Sequence, residues 1–104
     1  MFTHVAINQA QLVVGMVIYR VRPRHLRILQ LGVHPDWRRQ GVATQLWQRV
    51  LSKLHPERRS RLVVVVPEQC VDVQLFLRQQ KVRALELLCN RDTGQDDIYF
   101  EYRV

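Results

Sequence analysis

Two cysteines in 104 residues, Cys70 and Cys89, are too few for a disulfide-built secreted scaffold and show no metal-ligand spacing. They read as reduced thiols. Glycine and proline, four of each, are scattered along the chain, so no linker, repeat or low-complexity tract divides it, and residues 1–104 read as one small domain. No apolar stretch approaches the ~18 residues of a membrane span, and the opening MFTHVAINQ lacks a basic segment followed by an apolar run. The expectation is a cytoplasmic protein with no membrane segment. Acidic residues are also scarce: nine Asp and Glu face sixteen Lys and Arg, for a formal charge of +7. An anionic partner is therefore expected, whether nucleic acid, a phosphorylated cofactor or an acidic surface, and charge does not choose among them. What remains is a globular composition, 47% hydrophobic, which excludes disorder and supports a single core.

Hydrophobic patterning orders that core. Val5 and Ile7 alternate with polar residues before Asn8-Gln9, and Leu12 to Tyr19 is apolar and rich in β-branched residues, which predicts two antiparallel strands. A third strand from Leu26 to Val33 slips in its alternation. Leu26 and Ile28 share one parity, whereas Leu29, Leu31 and Val33 take the other. One extra residue near Ile28 to Gln30, a β-bulge, gives that slip; a strand buried on both faces gives it too. From Gly41 to Leu54, Ala43, Leu46, Trp47, Val50, Leu51 and Leu54 recur at helical spacing. The run Leu62 to Val66, closed by Pro67, reads as a central strand covered on both faces. A second helix is predicted over about Gln69 to Gln80, with Leu75, Phe76 and Val73 inward. A polar loop from Asn90 to Asp97 then joins the strands Val82 to Cys89 and Ile98 to Val104. The order is β-β-β-α-β-α-β-β, an α+β fold with a mixed, mostly antiparallel sheet.

The segment Leu31-Gly32-Val33-His34-Pro35-Asp36-Trp37-Arg38-Arg39-Gln40-Gly41-Val42-Ala43-Thr44 carries the chemistry. It places two arginines and a glycine where a strand ends and a helix begins. Cations there oppose the helix dipole by about 0.3–1 kcal/mol each, and the first amides have no intrahelical acceptor. A bound anion reverses both penalties. The N–H groups of Gln40 to Thr44, with Gly41 permitting close approach, would cradle a phosphate, and Arg38 or Arg39 would add charge-assisted bonds. The alternative is a surface loop with solvated arginines.

Arg38-Arg39-Gln40-Gly41-Val42-Ala43 resembles the (Gln/Arg)-x-x-Gly-x-(Gly/Ala) signature of the GCN5-related N-acetyltransferases, and Leu31-Gly32-Val33-His34-Pro35 resembles the strand that leads into it. From about Leu12 onward the chain looks closest to the bacterial ribosomal-protein N-terminal alanine acetyltransferases. The resemblance implies acetyl-CoA as co-substrate. Leu31 and Val33, flanking Gly32, would bond the pantetheine arm through their backbones. Arg38, Arg39, Gln40, Gly41, Val42, Ala43 and Thr44 would hold the pyrophosphate, and the Val33 amide would polarise the thioester carbonyl. It also implies direct attack on the thioester by a primary amine, a protein N-terminus among the candidates, with no covalent enzyme intermediate.

The chain departs from the family pattern at three places. Leu77 stands where many members carry a Tyr that protonates the leaving thiolate, Cys70 where an Asn is common, and Lys81-Val82 where Gly-Phe is usual. The chain starts at the family's second strand, so the elements that wall the acceptor cleft are expected to be missing. An open acceptor site, or one completed by a second subunit of a homodimer, follows. A thiol of pKa ~8.5 is a tolerable leaving group that water can protonate. The alternative to an enzyme is an acyl-CoA-binding module with little catalysis, acting through a partner.

Elsewhere, His4, His25, His34 and His55 show no metal-binding spacing, and no metal site is expected. His34 reads as part of a turn before it reads as a proton relay, Glu68 as a helix-start carboxylate before a base, and Tyr19, Tyr99 and Tyr102 as packing residues. Arg20, Arg22 and Arg24 and the run Glu57-Arg58-Arg59-Ser60-Arg61 read as a solvated face, with a nucleic-acid or ribosomal surface as the alternative.

Overall fold

Alternating burial decides which face of each strand meets the helices, and the helices in turn cover only one face of the sheet. The computed structural model describes residues 1–104, the side chain of residue 90 excepted. Its elements are β1 (Phe2–Ile7), β2 (Val13–Val21), β3 (His25–Val33), a 3-10 turn (Pro35–Trp37), α1 (Val42–Leu51), β4 (Arg61–Pro67), α2 (Val71–Gln79), β5 (Arg83–Asn90) and β6 (Gln95–Arg103). The strands form one sheet in the order β1-β2-β3-β4-β6-β5, and only β3 and β4 run parallel. The chain is thus an α+β fold with a mixed, mostly antiparallel sheet in the expected element order.

The slip in β3 is a bulge. Ile18 pairs with Gln30 and Tyr19 with Ile28, which leaves Leu29 unpaired. Counting Leu29 out places Leu26, Ile28, Leu31 and Val33 on one face. Burial on both faces does not hold for this strand, because Arg27 and Gln30 are exposed and Leu29 is 42% exposed. In β4 the double-sided reading does hold: Leu62, Val63, Val64 and Val66 are all buried.

Val17, Tyr19, Leu26, Ile28, Leu62, Val64, Val66 and Phe100 form one core with Leu46, Trp47 and Val50 of α1 and Leu77 of α2. Both helices therefore lie on the same face, joined by an edge-on contact of Trp47 and Phe76 with ring centres 6.0 Å apart. Gly15 of β2 allows this packing. A Cβ there would stand 2.8 Å from Val42 Cγ1 and 3.2 Å from both the Gly32 carbonyl and Leu46 Cδ1.

α2 corrects one expectation. Leu75 is 52% exposed, whereas Leu77 is buried, because the inward stripe of this short helix runs through Val73, Phe76 and Leu77 at i, i+3, i+4 spacing. The helix closes with the Val82 amide bonded to the Leu77 carbonyl and the Lys81 amide to the Arg78 carbonyl, a Schellman pair that needs a left-handed residue between them. Lys81 supplies it at φ 63°. The expected polar loop is also shorter, since Gln95, Asp96 and Asp97 pair with Asn90, Cys89 and Leu88. An outer hairpin solvated on one side tolerates such polar residues in its ladder.

Candidate functional site

β3 and β4 pair only from His25–Arg61 to Ile28–Val64. The bulge at Leu29 bends β3, and the two strands part. The gap holds a pocket of about 170 Å³ between Leu29, Gln30 and Leu31 on one side and Val65, Val66 and Pro67 on the other, with Trp47, Val73 and Leu77 beneath. Parting leaves backbone groups without a strand partner. The His34 amide donates to the Val14 carbonyl of β2 at 2.8 Å, so by the period of two Gly32 also faces β2, and Leu31 and Val33 present N–H and C=O toward the gap. The Val33 carbonyl is open enough on that side for Arg38 Nε to donate to it at 3.3 Å.

The gap leads to the start of α1. Arg39 and Gly41 both take positive φ, 63° and 80°, which turns the chain sharply out of the 3-10 turn into the helix. Gly41 is the N-cap and offers no side-chain acceptor, and the first turn has no acidic residue. The first helical bond runs from the Gln45 amide to the Gly41 carbonyl, so the amides of Val42, Ala43 and Thr44 have no acceptor within the helix. They form the positive end of the helix dipole beside two guanidinium groups.

Strand edge and helix start open into one groove of about 760 Å³. It is lined by Leu31, Gly32, Val33, Arg38, Arg39, Gly41, Val42, Ala43 and Thr44. Gln40 is the one residue of the expected set outside the lining; its side chain turns back, Nε2 donating to the Asp36 carbonyl at 3.3 Å. α2 supplies the opposite wall through Cys70, Asp72, Val73, Leu75, Phe76 and Gln79. Sequence reasoning assigned none of this wall beyond Cys70, and did not single out Gly15 beneath the start of α1. The available signal was the apolar excess of α2, five such residues in nine, more than one inward stripe uses.

Cys70, at the N-cap of α2, borders both the gap and the groove, and its thiol is free. Leu77 sits at the floor of the gap, buried and without a proton to give. Glu68 lies outside both cavities and is exposed. His34 is a turn residue: its Nδ1 accepts the Asp36 amide at 3.1 Å. Tyr19 is buried with its hydroxyl 3.1 Å from His4 Nε2, away from the groove, and burial raises its pKa against the opposing effect of Arg49. No Tyr, His or Glu lines the gap or the groove. Among the described residues no three His, Cys, Asp or Glu side chains converge as a metal site requires, and no helix is long and apolar enough to cross a membrane.

A search of curated proteins by sequence returns no match. Solved structures share the fold. The ribosomal-protein-S18-alanine N-acetyltransferase of Escherichia coli superposes with a TM-score of 0.81 at 14% identity, over 99% of this chain and 68% of that one. NAA60 of Arabidopsis thaliana, in complex with a bisubstrate analogue, gives 0.75 at 18% identity over 88% of this chain and 64% of that one. A GNAT family acetyltransferase from Elizabethkingia anophelis with acetyl-CoA bound gives 0.82 at 17% identity over 98% and 75%. The sequence profile of the Acetyltransferase (GNAT) family matches residues 1–80. That match spans β1 through α2, the bulge, the parted strands and the glycine-capped helix included, so the chain belongs to the acetyltransferase (GNAT) family.

Proposed function

We propose that the chain, as a single acetyltransferase domain of the cytoplasm, moves an acetyl group from acetyl-CoA to a primary amine by direct attack. A protein N-terminus is the class of acceptor favoured by the ribosomal-protein-S18-alanine N-acetyltransferase that shares its fold. One observation carries the reading: an unpaired strand edge and an anion-ready helix start, the two things a peptide-like arm ending in pyrophosphate requires, open into the same groove. The amides of Val42, Ala43 and Thr44 and the guanidinium groups of Arg38 and Arg39 hold the pyrophosphate. Leu31 and Val33 pair with the arm by backbone bonds, and Arg38 gives up the Val33 carbonyl as it does so. The co-substrate brings the activated thioester. The Val33 N–H, held rigid by the β2 pairing on the other side of its strand, orients and polarises the carbonyl.

No side chain here takes the role of the family's tyrosine, because Leu77 fills that place. As the N–C bond forms and the C–S bond breaks, water entering the open gap takes the proton that the amine nitrogen loses and supplies one to the leaving sulfur. This same feature supports a second reading, an acyl-CoA-binding module with little turnover. Calorimetric titration with acetyl-CoA, followed by free-thiol release against amines and peptides, separates the two. Gly41→Val, which forces a β-branched residue to φ 80°, is expected to weaken acetyl-CoA binding at least about tenfold. Unchanged binding overturns the groove assignment. Binding without thiol release above hydrolysis selects the second reading.

A further inference from the structure

The face of the sheet away from both helices carries a second feature, at the end remote from the groove. Val17, Tyr19, Leu26, Ile28, Leu62, Val64, Phe100 and Tyr102 point into the helix-side core, so their strand neighbours point the other way. The register sets those neighbours in two rows. Arg20 pairs with Arg27, Arg27 with Val63, Val63 with Glu101, and Glu101 with Arg83. In the second row the Arg22 amide donates to the His25 carbonyl, His25 pairs with Arg61, and Arg61 with Arg103. Side-chain contacts agree with this layout. Arg61 and Arg103 both reach Glu101, at 3.3 and 3.4 Å, and burial followed by the charges of Arg61, Arg22 and Arg27 lowers the pKa of His25.

Six arginines and one histidine therefore share a patch with two carboxylates, Glu101 and, next along β5, Glu86. Glu101 is already spent on two of the arginines. The patch holds no lysine. Arg20, Arg22, Arg27, Arg83 and Arg103 are exposed. Strand spacing sets neighbours within a row ~4.8 Å apart, so the first row extends ~19 Å; Arg20 and Arg27 adjoin at one end of it, Arg83 closes the other beyond Val63 and Glu101, and Arg61 and Arg103 adjoin in the second row. Such a ladder suits a polymer with an anion on every unit better than scattered carboxylates, and guanidinium forks match phosphate oxygens. The turns at this end, Arg22-Pro23-Arg24 and His55 to Arg59, carry no aromatic residue and no aliphatic one beyond their prolines to enter a lipid layer. Both helices lie on the opposite face of the sheet, so none is presented here to a duplex groove. Two residues along β6 from Glu101, Tyr99 lies on the same face and is partly exposed, a surface on which an unpaired base can stack.

From these observations we infer that the open face docks single-stranded RNA, its phosphates on the two arginine rows and a base on Tyr99, with little dependence on sequence. The inference does not rest on the acetyl-CoA groove. The test is fluorescence anisotropy with a labelled, unstructured RNA of about twenty nucleotides across a salt series. The wild type is expected to bind with a steep salt dependence. Arg20→Gln/Arg27→Gln/Arg83→Gln, three exposed side chains, should weaken binding about tenfold or more and reduce the slope of log K against log salt by about 2. Tyr99→Ala should weaken it about fivefold or more. Arg38→Gln/Arg39→Gln should leave RNA binding intact, and acetyl-CoA titration with the triple variant should match the wild type. No RNA binding at low salt overturns the proposal. So does loss of RNA binding in the Arg38/Arg39 pair but not in the triple variant, and so does tighter binding to phosphatidylserine vesicles or to duplex DNA than to the RNA.

Discussion

The two ends of the β3–β4 pair do opposite things with the same backbone. From His25 to Ile28 the strands are laddered, and their inward side chains are buried to the last few percent. Beyond Leu29 they part, the inward residues Leu31 and Val33 are only half-buried, and the edge is left for a ligand. Stability is concentrated at the laddered end and binding at the parted one, with a single unpaired residue between them. The helix-start chemistry of α1 serves the second end only.

The largest expected effect breaks this division on the stability side. Leu26→Ala removes a side chain with no exposed surface and should cost about 2–5 kcal/mol in urea denaturation, with acetyl-CoA affinity unchanged in the fraction still folded. Leu31→Ala should cost under about 1.5 kcal/mol and weaken acetyl-CoA binding instead. Equal stability losses for the two variants would erase the distinction. Gly15→Ala tests whether the parted end depends on close packing. The added Cβ collides with Val42 and the Gly32 carbonyl, so a loss of about 1–3 kcal/mol, together with weaker acetyl-CoA binding from a displaced helix start, is expected.

A smaller effect lies at the close of α2. Lys81 holds a left-handed conformation at φ 63°, and Lys81→Gly should raise stability by up to about 1 kcal/mol, the relief of strain being partly offset by chain entropy. Calorimetric melting reads it directly. The smallest is a pH effect from two histidines, His25 at the laddered end and His4 on β1. His25, lowered by burial and by Arg61, Arg22 and Arg27, and His4, lowered by burial and by Arg49 and Lys53, both resist protonation when folded. The unfolded chain takes the proton first as pH falls, so their contribution is complete above the ordinary value of 6.5 and is lost below it. The denaturation midpoint should drop between about pH 7.5 and about pH 5.5, and His25→Gln should flatten part of that drop.

Much of this was legible in the chain. The parity slip between Ile28 and Leu29 pointed to a bulge or to burial on both faces, and the pairing of Ile18 with Gln30 and Tyr19 with Ile28 decides for the bulge. The α1 stripe is equally plain, since Leu46, Trp47 and Val50 have polar residues between them. α2 was not legible in the same way. Val71, Val73, Leu75, Phe76 and Leu77 crowd nine residues with apolar side chains, so no single stripe stands out, and only the contact with Trp47 decides that Leu77 turns in and Leu75 out. The left-handed Lys81 broke the glycine rule for helix ends, and its trace in the sequence was that Lys81-Val82 stands where the family pattern has Gly-Phe. The arginine rows stayed hidden because Arg27, Arg61, Arg83 and Arg103 are neighbours only once the strand order puts β6 between β4 and β5.

The parting of β3 from β4 also gives the sheet a third edge, inside its own span. Outer edges invite other chains and are usually guarded by charge, proline or a short strand. This one sits in a wedge between two strands that diverge from a shared ladder, so a foreign strand cannot lie flat along either side without meeting the other. Pro67, at the wide end of β4, has no amide hydrogen to offer a newcomer. The protein can thus leave backbone groups unpaired in the middle of a sheet, available to a slender extended ligand, without presenting them to its own neighbours as a site of aggregation.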